Sequence, residues 1–231
     1  MQGKTAIITG AFGALGRVVA ESFVKKGARV ALVDKAPSPP PELATALGAK
    51  ALMLGNVDLS SRTDAAQVVE KVQKQFGGVD ALVNIAGGFR WVQVADSTPE
   101  VWDLLYTLNV KTAANMCHAA LSALIASGNG RIVNIGANGA IKAAAGMGPY
   151  TASKAGVHRL TEALAEELKG KVTVNAVLPS IIDTPQNRAD MPDANPATWV
   201  SPAELAAVIL FLSSNEASAV TGALVPVVGR V

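Results

Sequence analysis

Lys4-Thr5-Ala6-Ile7-Ile8-Thr9-Gly10-Ala11-Phe12-Gly13-Ala14-Leu15-Gly16 is the stretch on which the reading of this chain turns. Lys4 to Thr9 is a short apolar run of the length of a buried strand, and Gly10 follows it at once. The run Ala14 to Lys26 then carries helical spacing and stops at Gly27. Arg29 to Val33 reads as a second strand and ends in Asp34. Strand, glycine turn, helix, strand and acid within about thirty residues form the βαβ context that a phosphate-binding glycine loop requires. Glycines let the main chain approach a pyrophosphate, and the N–H groups at the helix start meet its negative charge. The plainer alternative for the glycines alone is a tight strand–helix turn. Asp34 tips the reading toward a dinucleotide, because a carboxylate there accepts hydrogen bonds from a ribose diol and repels a 2′-phosphate. Lys35, next door, blurs that preference.

A second stretch, Pro149-Tyr150-Thr151-Ala152-Ser153-Lys154, opens a run to Leu168 without an internal proline. Pro149 suits a first helical turn, where its missing N–H has no intrahelical partner to lose. Residues i and i+4 share a helix face, so the Tyr150 hydroxyl and the Lys154 ammonium can point into one site. A nearby cation favours the phenolate and is expected to lower the tyrosine from its free pKa of about 10. Such a tyrosine exchanges a proton with a substrate oxygen near neutral pH. Taken alone, the pair equally describes an ordinary helix surface.

The 231 residues are half apolar and only 16% charged, below the roughly 25% of an average soluble protein. That favours one large core, buried helices or subunit interfaces. A net charge of +2 with scattered Lys and Arg gives no electrostatic case for nucleic acid. The N-terminus lacks a signal-peptide layout, and no apolar run approaches the ~18 residues of a membrane span. Cys117 is the single cysteine, so neither an internal disulfide nor a cysteine metal site is expected. His118 and His158 read as helix-surface or partly buried residues rather than ligands. A soluble, cytoplasmic, metal-free protein without a membrane partner is the expectation.

The remaining chain alternates strands and helices. Glu42 to Leu47 reads as a short helix, Ala51 to Leu54 as a strand, and Ser60 or Ser61 as the cap of a helix ending at Phe76. Val79 to Asn84 is a strand leading to Ile85-Ala86-Gly87-Gly88. Ser97 and Glu100 have capping-box spacing ahead of a long apolar helix to about Ser127, with Asn109 inside it. Arg131 to Gly136 is a strand, Ala137 to Gly148 a small-residue loop, and Val172 to Leu178 another strand. Residues 181–200 hold Pro185, Pro192 and Pro196 without a clear period and read as a loop or lid. Ser201-Pro202-Ala203-Glu204 is a second capping box, and Ala223 to Val228 a last strand. The expected fold is α/β: a single domain over 1–231, a doubly wound, seven-stranded, mostly parallel sheet with helices on both faces.

Over nearly its whole length the sequence resembles the short-chain dehydrogenase/reductase superfamily. The pieces stand in that family's order: Thr9-Gly10…Gly13…Gly16, Asp58, Asn84-Ile85-Ala86-Gly87, Asn109, Tyr150…Lys154 and Pro179-Ser180…Thr184. The resemblance implies a Rossmann domain with NAD(P) across the carboxyl ends of the strands. It implies Tyr150 as general acid/base, Lys154 as the group that lowers its pKa and holds the nicotinamide ribose, and Asn109 as organiser of a relay water. On the same basis Gly10, Phe12, Gly13, Ala14, Leu15, Gly16, Asp34, Lys35, Asp58, Leu59, Asn84, Ala86, Gly87, Pro179, Ile182 and Thr184 would surround the cofactor. NADH is expected over NADPH because of Asp34, without excluding the latter. A homodimer or homotetramer is implied as well, with the small-residue face Ala152, Ala155 and Gly156 and the helix around Asn109 at a two-fold axis.

Three positions depart from the family pattern. The middle glycine of the loop is Gly13 where the common form has it at the place of Ala14, and Ile85 replaces an asparagine. Ala137 stands where the family's catalytic serine donates a hydrogen bond to the substrate oxygen. Losing such a donor can cost about 10²–10³ in rate where the reaction depends on it. The quinonoid dihydropteridine reductases are similar in lacking that serine while keeping tyrosine and lysine. Gly146-Met147-Gly148-Pro149-Tyr150 and Asp183-Thr184-Pro185-Gln186-Asn187-Arg188 through Trp199 resemble that branch. Asn109 and Phe211-Leu212-Ser213-Ser214…Thr221-Gly222 look more like the 3-oxoacyl-carrier-protein reductase type. The expectation is a hydride-transferring oxidoreductase for a small carbonyl, hydroxyl or quinonoid substrate, with Asn138 as an extra donor beside Ala137. Phe89, Trp91 and Trp199 are candidates to stack on a flat ring, or equally to anchor loops. The alternatives are a 3-oxoacyl reductase or alcohol dehydrogenase that has replaced the serine, and a dinucleotide-binding protein without catalysis.

Overall fold

The computed structural model describes residues 1–230. Seven strands, β1 (Thr5–Thr9), β2 (Arg29–Val33), β3 (Ala51–Leu54), β4 (Ala81–Asn84), β5 (Gly130–Ile135), β6 (Val172–Pro179) and β7 (Leu224–Val227), form one sheet. Its order is β3-β2-β1-β4-β5-β6-β7, and each neighbouring pair is parallel. The central strands are continuous apolar runs because helices cover both faces. On one face α1 (Ala14–Lys25), α2 (Pro41–Leu47) and α8 (Pro202–Leu212) pack around Phe23, Ile8, Leu32 and Leu205. On the other α3 (Arg62–Phe76), α5 (Thr112–Ala126) and α6 (Gly148–Glu167) enclose Ile7, Leu82, Met116, Leu124 and Ile132.

The chain reverses its winding between β1 and β4, which opens a crevice at their carboxyl ends. Thr9 holds that crevice together: its Oγ1 accepts from the N–H of both Ile85 and Ala86, each at 3.0 Å. Gly10 makes the closeness possible. Its φ is +61°, and a Cβ there would lie 2.9 Å from the Ala86 nitrogen.

Several elements differ from expectation. The capping box at Ser97 does not form; Thr98 takes the N-cap position, and Ser97 Oγ instead accepts from Trp102 Nε1 at 3.0 Å. Sequence spacing alone could not foresee that an indole would claim the hydroxyl. The long apolar helix is broken into α4 (Pro99–Tyr106) and α5 by a π turn at Thr107–Lys111, centred on Asn109. Local propensity gives no signal for this extra residue; a tertiary contact of Asn109 described below does. Within 181–200 a short helix α7 (Pro185–Asp190) forms, capped by Thr184 Oγ1, which accepts from Asn187 N–H. The second capping box does form: Ser201 Oγ accepts from Glu204 N–H, and the Glu204 carboxylate accepts from Ser201 N–H at 2.8 Å.

Candidate active site

The glycine turn lies between β1 and the start of α1, at the mouth of the crevice. Phe12 and Leu15 are buried in the core, while Gly13 is exposed. A Cβ on Gly13 would meet only the Gly10 carbonyl oxygen, at 3.4 Å, so the space over the turn stays open. The first N–H groups of a helix, which have no intrahelical acceptor, an open cradle and an acid at the next strand end fit a dinucleotide pyrophosphate and ribose.

Asp34 is held at the end of β2 by two amides. Phe12 N–H donates to Oδ2 at 2.9 Å, and Ala36 N–H donates to Oδ1 at 3.0 Å. Each oxygen keeps a further lone pair for a hydroxyl donor. Lys35 does not stand free beside it, because its ammonium pairs with Asp58 Oδ2 at 3.1 Å. Hydrogen bonds from the Ser60 side chain and main chain, together with Lys35, hold the Asp58 carboxyl down at about 2.

Two expected cofactor residues turn away from the crevice. Asn84 is 4% exposed, and its amide donates to Asn134 Oδ1 (2.8 Å) and Cys117 Sγ (3.3 Å) within the core. Leu59 is buried against the helices of the second face. Only their main chains remain for the crevice, together with Ala86 and exposed Gly87. Cys117 is the small buried group expected, its thiol pushed up to about 12 by burial.

Tyr150 and Lys154 sit on successive turns of α6, beside the ends of β4 and β5. Lys154 is buried; its Nζ donates to the Ile135 carbonyl at 2.8 Å and lies near Gly87, where a Cβ would be 3.5 Å from it. The expected lowering of the tyrosine is overturned in the protein by itself. Burial pushes Tyr150 up to about 12 and Lys154 down to about 8, because withdrawal from water penalises both charged forms. The Phe89 ring packs edge to face on Tyr150, with centroids 4.9 Å apart.

Asn109 explains the π turn. From there its Oδ1 accepts from Gly88 N–H (2.9 Å), and its Nδ2 donates to the Gly88 carbonyl (3.0 Å) and to Ser153 Oγ (2.9 Å). The extra residue aims Asn109 at the β4 turn and at the tyrosine helix together. Half-buried Gly156 lies against Val110 of the same turn, where a Cβ would be 2.9 Å from Val110 Cγ2.

At the exit of β5, Ala137 is buried, and Asn138 follows it half-buried. Phe89 and Trp91 are exposed, Trp91 lying over Gly146 in the loop before α6. Trp199 is only 3% exposed, with Gly229 against its main chain, so it anchors the foot of 181–200 rather than offering a face. Pro179 ends β6, and Ile182 pairs with Val200, which ties the two ends of that segment together. Three residues to which the sequence reading assigns no role have contacts here: Thr9, Ser153 and His158. Only their spacing from Gly10 and Tyr150 could have flagged them.

Among the described residues no helix is long and apolar enough to cross a membrane, and no group of three or more His, Cys, Asp or Glu gathers around a metal position. Fold, crevice and tyrosine–lysine helix together define a nucleotide-dependent oxidoreductase. The chain belongs to the short chain dehydrogenase family, whose model matches residues 4–195, and it is an NAD(P)-dependent enzyme of that family. It is similar to a 3-oxoacyl-[acyl-carrier-protein] reductase from Thermotoga maritima, 34% identical across 99% of this chain and 98% of that protein. A crystal structure of a short-chain dehydrogenase/reductase (glucose/ribitol dehydrogenase) from Brucella melitensis superposes with a TM-score of 0.93. It is 31% identical and covers 99% of this chain and 96% of its own. Carveol dehydrogenase from Mycobacterium avium, solved in complex with NAD, gives 0.88 at 26% identity over 99% of this chain and 97% of its own.

Proposed function

We propose that the chain is an NADH-dependent reductase whose proton donor is Tyr150 and whose preferred acceptors are conjugated, flat molecules of the quinonoid dihydropteridine kind. The observation that carries this is a buried Lys154 one turn from Tyr150, beside a β5 exit that ends in Ala137 without a hydroxyl. A conjugated acceptor needs less polarisation of a single oxygen than a ketone does, so the tyrosine can serve alone. A nicotinamide dinucleotide, when bound, supplies the hydride. Gly10 to Gly16 would hold its pyrophosphate, Asp34 its ribose, and Lys35, Asp58, Leu59, Asn84, Ala86 and Gly87 the adenine side. Pro179, Ile182 and Thr184 would border the other end, with 181–200 as a small lid over the substrate.

Tyr150 keeps its proton until transfer, and the Lys154 ammonium stabilises the phenolate left behind. The Asn109 side chain is committed to Gly88 and Ser153, which leaves a relay water to the main chain of the π turn. Pairing of Lys35 with Asp58 leaves Asp34 to meet the ribose, which favours NADH. Exposed Trp102, Leu104, Tyr106 and Phe211 supply apolar surface for a dimer or tetramer of a cytoplasmic protein.

The similarity to a 3-oxoacyl-[acyl-carrier-protein] reductase favours a second reading, reduction of a 3-oxoacyl thioester. Loss of the reduced-nicotinamide absorbance with quinonoid dihydropterin, an acetoacetyl thioester and simple ketones separates the two. Cofactor binding without turnover of any of them would replace both by a non-catalytic binding protein. Tyr150→Phe is expected to lower kcat by at least about 10². Retention of more than about a tenth of kcat would discard Tyr150 as the donor. A specificity constant for NADPH equal to that for NADH would remove the assignment of Asp34, and a monomer by light scattering at micromolar concentration would remove the oligomer.

A further inference from the structure

His158 is 3% exposed and follows Tyr150 and Lys154 at the same spacing along α6, so the three side chains share one face. Nothing in the proton transfer described above uses it. Ala137 N–H donates to His158 Nε2 at 3.3 Å, and an amide can only donate. The ring nitrogen facing Ala137 therefore carries a lone pair, and the imidazole is neutral with its proton on Nδ1.

Lys154 Nζ donates to the carbonyl of Ile135, two residues earlier. Successive turns of α6 thus grip the end of β5 on both sides of Gly136, whose own N–H donates to the Val177 carbonyl at 2.9 Å. Gly136 is bare because the ring lies against it: a Cβ there would be 2.5 Å from Nε2. The residues that follow the grip are Ala137, at the place of the family's serine, and Asn138, which opens the 3₁₀ turn Asn138–Ala140.

We propose that His158 is a positioning residue: its neutral imidazole, through the Ala137 amide, holds the β5 exit and Asn138 in register with Tyr150. This rests on the reading of Tyr150 as proton donor. Protonated, the ring would present a second donor to Ala137 N–H, and the grip would open on that side. Burial first, then the charges of Arg159 and Lys154, disfavours that form. Both cations stand on its own helix. The strands β5 and β6 bring Gly136, Ala137 and Leu178 to the ring, none of them titratable, and Arg131 lies at the far end of β5, bonded to the Ser214 carbonyl.

The test compares wild type with His158→Gln, which can place an acceptor oxygen where Nε2 stands, and with His158→Leu, which cannot. In the wild-type protein the ¹⁵N shift of the Ala137 amide should titrate with the same midpoint as the His158 ring, with or without NADH. The acid limb of kcat should share that midpoint. In His158→Gln the limb should vanish with kcat near pH 7.5 within about threefold of wild type, whereas His158→Leu should lose about tenfold or more with KM for NADH unchanged. An Ala137 amide indifferent to the ring's titration, or an acid limb unmoved in His158→Gln, would overturn the proposal. If Tyr150 is not the donor, Tyr150→Phe reports that separately, and the amide titration still decides whether the grip exists. Should His158→Leu fail to fold, the glutamine variant and the wild-type titration carry the decision.

Discussion

The rings of Phe89 and Tyr150 meet edge to face, with centroids 4.9 Å apart and planes inclined at 79°, although Phe89 is 59% exposed. Phe89 thus lies at the surface directly against the proposed proton donor, and the Trp91 ring, nearby in sequence, lies over Gly146. A flat molecule bound beside Tyr150 would cover the exposed part of the Phe89 ring.

Phe89→Ala should therefore raise KM for a flat conjugated acceptor by about three- to tenfold, the range of one aromatic contact of about 0.5–1.5 kcal/mol. The dissociation constant of NADH, read by fluorescence titration, should not move. An unchanged KM would leave Phe89 as loop packing alone.

Ala137→Ser returns a hydroxyl to the β5 exit. Simple ketones and 3-oxoacyl thioesters should gain at least about tenfold in kcat/KM, since they depend on a donor at the oxygen. A quinonoid acceptor should change by less than about threefold. Equal gains for all substrates would contradict the account of why alanine is tolerated.

Asn109→Ala leaves the Gly88 N–H and carbonyl without their partner in a part-buried turn. Loss of about 2–4 kcal/mol of unfolding free energy is expected from denaturant titration, beyond what one exposed asparagine contributes. Ser153→Ala removes one bond of the same set, besides the local bond from its hydroxyl to the Tyr150 carbonyl, and should cost about 1 kcal/mol. Near-equal losses for the two variants would show that the π turn does not depend on Asn109.

Lys154 carries a pH signature. Its folded pKa, about 8, lies below the ordinary 10.5 because burial penalises the ammonium, so the folded state takes up that proton less readily than the unfolded chain. The resulting cost is absent above about pH 10.5, grows as pH falls from there toward 8 and is constant below. Lys154→Met should thus be inactive yet more stable than wild type at pH 7, by on the order of 2 kcal/mol after the lost bond to Ile135 is allowed for. The advantage should fade toward pH ~10.5. A less stable variant at pH 7 would mean that the ammonium is better compensated than its surroundings suggest.

The basic side of catalysis follows from the same group. Tyr150, pushed up to about 12, remains a proton donor through the neutral range, so a fall of kcat above about pH 8 reports Lys154 losing its charge. A plateau extending to pH 10 or so would detach the lysine from the chemical step.

Local pattern was enough for much of the molecule. Lys4 to Asp34 announces its βαβ unit because strand, turn and helix are encoded by neighbours within a few residues, and the Ser201–Glu204 box forms from its own two side chains. Tyr150 and Lys154 fall on one face because helical spacing demands it. The register of seven parallel strands, the π turn at Asn109 and the inward turn of Asn84 are different in kind. Each is decided by a partner far along the chain: Gly88 for Asn109, Asn134 for Asn84, and for the register the neighbouring strand, as β4 is for β1. So are the charges. The sequence placed an ammonium and a phenol on one helix face, but only burial in the folded chain moved both away from their charged forms, through desolvation that depends on every group excluding water around them.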